Sequence, residues 1–123
     1  MQHGFNAYAS AAKSAQSTVP PRELEASLLI KAATRLQSIS DDWDMRKNEL
    51  DEALAYNRKL WTLLVSAVIA EDNPLPVGIK QNILALANFI FNRTFQISAE
   101  PQAQHLTVLV GINRDIAAGL RGR

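Results

Sequence analysis

Leu50-Asp51-Glu52-Ala53-Leu54-Ala55-Tyr56-Asn57-Arg58-Lys59-Leu60-Trp61-Thr62-Leu63-Leu64-Val65-Ser66-Ala67-Val68 is the stretch that decides the fold. Leu50, Leu54, Asn57, Trp61, Leu64 and Val68 follow one another at alternating steps of four and three, the spacing of a helix packed along one seam. Ala53, Tyr56, Leu60, Leu63, Ala67 and Ala70 form a second seam beside it, so the helix must touch more than one neighbour. Val65 and Ile69 extend apolar character to a third face near its end. With no Gly or Pro before Asp72, the pattern predicts a single central helix over 42–71.

On the N-terminal side, Leu24, Leu28, Ala32, Leu36 and Ile39 make one apolar stripe, which predicts a helix over 21–39. Pro21 suits a first turn, where its missing N–H costs nothing, and Glu23 and Glu25 favour the positive end of the helix dipole. Ser40-Asp41-Asp42-Trp43-Asp44 reads as a break followed by an acid-rich helix start. Met1 to Val19 is rich in Ala, Ser and Gln. A short helix capped by Asn6 is expected there, mobile or docked through Phe5 and Tyr8.

On the C-terminal side, Asp72-Asn73-Pro74-Leu75-Pro76 is dense in turn formers. A helix over 77–97 follows, with Ile79, Ile83, Leu86 and Ile90 on one stripe and Leu84, Ala87 and Phe91 beside it. After Ser98-Ala99-Glu100-Pro101 a last helix over 102–119 carries Leu106, Leu109, Asn113, Ile116 and Leu120, flanked by Val110 and Ala117. Gly111, inside it, is either a tolerated surface glycine or a point of close approach. The expectation is an all-α chain of 123 residues, one domain over 1–123, built as a small bundle of four main helices with a short N-terminal helical segment.

A triplet of bulky apolar residue, Asn and Arg occurs in each of the last three helices: Tyr56-Asn57-Arg58, Phe91-Asn92-Arg93 and Ile112-Asn113-Arg114. If the Asp72 to Pro76 turn joins an antiparallel pair, Asn57 and Asn92 lie at one level, and Asn113 falls roughly four to six residues off the level of Asn92. An amide on an apolar seam must find partners, because each buried group left unmet costs about 1–3 kcal/mol. Asn57 and Asn113 therefore either fix the register of the bundle or clamp the backbone of a partner; Asn92, off the stripe, is expected half-exposed. Arg58, Arg93 and Arg114 lie next to the seams, as a solvated edge or as a carboxylate-binding cluster. Trp61 reads as core, whereas Tyr56 and Trp43 are candidate anchors for a partner.

Several chemistries have no residues to support them. The chain has no Cys, which excludes disulfides, thiolate metal sites and Cys nucleophiles. His3 and His105 have no ligand-spaced companions, and Asp41, Asp42 and Asp44 read as a helix start, so no metal is expected. There is no Gly-rich phosphate loop and no nucleophile elbow, and neither an enzyme nor a cofactor is expected. Thirteen basic and twelve acidic side chains are spread along the chain for a formal charge of +1, without the basic block of a nucleic-acid binder. No run reaches membrane-spanning length and no signal peptide opens the chain, which points to the cytoplasm.

Read in order, several stretches resemble the FlaF family of alphaproteobacterial flagellar biosynthesis regulators. They are Pro21-Arg22-Glu23-Leu24-Glu25-Ala26, Ala53 to Trp61, Asn73-Pro74-Leu75-Pro76, Phe89-Ile90-Phe91-Asn92-Arg93-Thr94-Phe95, and Ile112 to Leu120. The resemblance covers most of 20–120, and its specificity lies in the combination of pieces. It implies a non-enzymatic cytoplasmic protein needed for flagellin synthesis or export, acting with the regulator FlbT and with flagellin. Flagellin's helical ends are exposed before assembly, and an amphipathic helix laid in a groove is a familiar mode of recognition.

These readings lead to an expected groove between the central helix and one of the last two. Its walls are Tyr56, Leu60, Leu63, Phe89 and Ile112, with Arg58, Arg93 and Arg114 at the rim and Asn57, Asn92 and Asn113 as further candidates. The first expectation is an export chaperone or adaptor for flagellin. The alternatives are an RNA-directed regulator of flagellin expression acting with FlbT, and a scaffold whose triplets serve only its own packing or a homodimer.

Overall fold

Pro21–Asp41 (α1) opens the computed structural model, which describes residues 21–122; the short helix expected over 1–19 lies outside them. Trp43–Arg46 (α2) and a 3-10 turn at Lys47–Glu49 lead into Leu50–Val68 (α3). Val77–Ala99 (α4) follows, then a 3-10 turn at Ala103–His105 and Leu106–Leu120 (α5). The four long helices are those expected, and the described residues contain no strand.

The central helix differs from its expected extent of 42–71. The backbone leaves helical values at Asp42 (φ −127°, ψ 49°) and Arg46 (φ −119°, ψ 2°), dividing 42–49 from α3. Trp43, within this segment, packs partly buried against the core. At the other end Asn73 stops the helix. Its side-chain amide donates to the Ala67 carbonyl (2.9 Å), and its side-chain oxygen accepts the Leu75 N–H (2.9 Å). Such a side-chain bond to the backbone two residues on is the turn-forming habit of Asn, and here it also buries Leu75 under the bundle.

Helix directions follow from cross-contacts. Arg121, just past α5, forks onto Glu23 at the start of α1, and Ser40 at the end of α1 donates to the Ala103 carbonyl before α5. α1 and α5 are therefore antiparallel. Arg35 on α1 meets Glu52 early in α3, which makes those two antiparallel as well. α4 packs on α3 and more lightly on α5. The result is an up-down-up-down four-helix bundle in which α3 and α5 face each other across a diagonal of the core.

The α3 and α5 seams are buried as the periodicity predicts: Leu50, Leu54, Asn57, Trp61, Leu64 and Val68 on one, Leu106, Leu109, Asn113, Ile116 and Leu120 on the other. α1 differs. Its inward face is Ala26, Leu29, Ala32, Ala33, Leu36 and Ile39, with Leu24 and Leu28 only half-buried. The alanines let α5, the most extensive neighbour of α1, approach closely, and close packing outweighs side-chain size in choosing the face.

Candidate functional site

Asn57 and Asn113 are both fully buried, and they bond to each other. The Asn113 amide nitrogen donates to the Asn57 side-chain oxygen (2.7 Å) and to the Leu29 carbonyl (3.2 Å). Its oxygen accepts the Trp61 indole N–H (2.9 Å). Because indole N–H is only a donor, the Asn113 atom facing it must be oxygen. The nitrogen then points at Leu29 and Asn57, so the atom Asn57 presents must also be oxygen. This chain of polarity leaves the Asn57 nitrogen buried without a hydrogen-bond partner among the described residues. Thr94, on the inward side of α4, carries a second such group, its hydroxyl.

The three triplets thus separate. Asn57 and Asn113 join the diagonal through Trp61, which hairpin counting along the chain did not foresee. Asn92 stands near the level of Asn57 but is exposed, pointing away from the core. The Asn residues of the first and third triplets supply the buried network, and the Asn of the second lies on the surface.

The residues expected to line one groove lie on different flanks. Leu60 is core. Tyr56 is partly exposed on the α1 side of α3, in a depression with Lys31, Ala32, Thr34, Arg35 and Arg46, and burial of its ring raises the pKa of its phenol. Leu63, half-buried, lies on that same flank by helical spacing. Phe89 and Arg93, one turn apart, lie on the opposite flank of α4 with the guanidinium 5.0 Å from the ring centroid. Ile112 is half-buried against the core and Arg114 is exposed, both on α5. Of the expected rim and lining residues, only Arg58 belongs to the groove that follows.

A groove of about 630 Å³ runs between α3 and α4. Leu54, Ala55 and Phe91 give it apolar walls, Thr94 lies at its floor with the hydroxyl turned inward, Phe95 and Arg58 form its edge, and Asp51 its far end. Phe95 is 76 % exposed. Helical spacing puts Val65, Ile69, Val77 and Leu84 on the same outer side of the hairpin, and of these Ile69, Val77 and Leu84 are exposed. The result is an apolar strip running the length of the α3/α4 face, a feature that on a folded domain marks an interaction surface. Phe91 packs against the edge of the core, whereas Phe95, one turn on, stands clear of it.

Among the described residues, no group of three or more His, Cys, Asp or Glu is placed to hold a metal ion, and no helix is long and apolar enough to cross a membrane. No curated protein and no solved structure matches the chain. One family model, that of the flagellar protein FlaF, matches residues 5–120, nearly the whole length, and takes in all four long helices and the α3/α4 face. The chain belongs to the FlaF family of flagellar proteins.

Proposed function

We propose that this FlaF protein is a non-enzymatic cytoplasmic factor that binds flagellin and serves as a chaperone or adaptor in its synthesis and export, alongside FlbT. The guest is an amphipathic segment from flagellin's helical ends, laid along the α3/α4 face. Before assembly such a segment has an apolar stripe with nothing to pack against, and shielding it is what a helix-in-groove contact does. One observation carries the reading: on a single face, an apolar strip from Ile69 to Phe95 coincides with a groove edged by Arg58. Aromatic and Arg side chains at the centre of a contact supply most of its binding energy.

The test is a pull-down of purified flagellin by the full chain. Phe95→Asp combined with Arg58→Glu alters two exposed side chains, so the bundle stays folded, and binding is expected to fall by at least about a hundredfold. Equal capture by the double variant would remove the α3/α4 site. No capture by the unaltered chain would remove flagellin as a direct partner.

A further inference from the structure

The α3/α4 groove is complementary to itself, and we infer that it closes on a second copy of this chain. In the resulting two-fold dimer, α3 of each copy lies antiparallel in the α3/α4 groove of the other. A two-fold contact requires that each feature of the patch find its complement at the same distance beyond the axis. Asp51 and Arg58 meet that condition. They stand on one flank of α3, seven residues and so about 10 Å apart, and among the described residues neither takes part in an ion pair. An axis passing midway between them sets Asp51 of each copy against Arg58 of the other, twice over.

The residues around that midpoint fit the same axis. Ala55, beside it, and Thr62, two turns on, are small and lie on the outward ridge, so two α3 helices can approach closely. Phe95 stands level with Leu54 across the hairpin, next to the axis, and its exposed ring would pack over the second copy's Ala55 with Phe91 one turn away. A reversible association, with a dissociation constant in roughly the micromolar range, is expected. The dimer stands independently of the flagellin reading. Only its consequence, that a second copy and a flagellin segment compete for one face, rests on it.

Sedimentation velocity of the full chain alone, over roughly 1–500 µM, tests the dimer without flagellin present. A concentration-dependent monomer–dimer equilibrium is expected. Asp51→Arg and Arg58→Asp each place two like-charged pairs in the contact, and each variant alone is expected to associate about tenfold more weakly or worse. Mixed in equal amounts, the two variants regain both attractive pairs and are expected to form a heterodimer close to the unaltered strength. The inference is overturned by a monomer at every concentration, by single variants that associate as well as the unaltered chain, or by a mixture no tighter than its components. Any of those results leaves the flagellin pull-down to succeed or fail separately.

Discussion

Asn113 on α5 donates its amide hydrogen to the side-chain oxygen of Asn57 on α3, 2.7 Å away across the diagonal of the bundle. The two residues look equivalent in sequence, yet their hydrogen bonding is unequal. Asn113 has both ends of its amide occupied, whereas the nitrogen of Asn57 has no partner among the described residues. Replacing Asn113 by Leu strands the Trp61 indole N–H and the whole Asn57 amide, and is expected to cost about 3 kcal/mol or more. Asn57→Leu removes an unmet donor and leaves Asn113 bonded to Trp61 and to the Leu29 carbonyl, so its expected effect stays within about 1 kcal/mol of zero. Urea unfolding of the two variants checks this asymmetry, and equal losses would show that the network is not wired as described.

Thr94 supplies a second test of buried polarity. Its hydroxyl has no partner among the described residues, and the residue is 5 % exposed. Thr94→Val keeps the shape and removes the desolvation cost, so it is expected to be neutral or to stabilise by up to about 1 kcal/mol. A loss above about 1 kcal/mol in the same unfolding assay would reveal a hydrogen bond at Thr94.

Gly111 is exposed inside α5, and a Cβ built there meets nothing within 4 Å. Of the two roles open to it in sequence, close approach by another of the described residues is thereby removed. Gly111→Ala is expected to raise stability by about 0.5–1 kcal/mol, through the lower entropy of the unfolded chain and better helix propensity. Destabilisation in thermal melting would mean that the position needs glycine for another reason.

Acid should weaken the turn before α3. Arg46 donates two hydrogen bonds to the Glu49 carboxylate (2.8 and 2.9 Å), and these hold its pKa below the ordinary value of 4.5. A carboxyl with a lowered folded-state pKa contributes stability that is present above the unfolded value and is lost as pH falls through the folded one. The melting temperature of the unaltered chain should therefore exceed that of Glu49→Gln at neutral pH, by a small margin because both groups are well exposed to solvent. The gap should close at pH values below about 4.5. A gap independent of pH would assign the effect to something other than this ion pair.

Legibility in the sequence tracked the strength of local periodicity. The first seam of α3 and the seam of α5 were readable residue by residue, because their buried positions recur at steps of three and four; of the second α3 seam, only Ala53 and Leu60 are buried. The inward face of α1 was harder, because Leu24 and Leu28 advertise a stripe that the small residues Ala26 and Ala33 displace once α5 packs close. The break at Asp42 was legible in its run of acids, whereas the second one at 46–49 has no Gly or Pro to announce it. The bond between Asn57 and Asn113 was out of reach for a related reason. Counting from a turn compares helices that follow one another, and these two meet across a diagonal. The α3/α4 face was half legible: Arg58 was singled out, while Phe95 and Asp51 emerged only when the two helices were set side by side.

The central claim is that flagellin lies on the α3/α4 face. Its most direct measurement is photo-crosslinking from a light-activated phenylalanine analogue placed at position 95 in one variant and at position 89 in another. Both sites lie on α4, Phe95 on the flank toward α3 and Phe89 on the opposite flank beside Arg93. An adduct with flagellin from position 95 and none from position 89 is the predicted result. An adduct from position 89 with none from position 95, or none from either, would contradict the account.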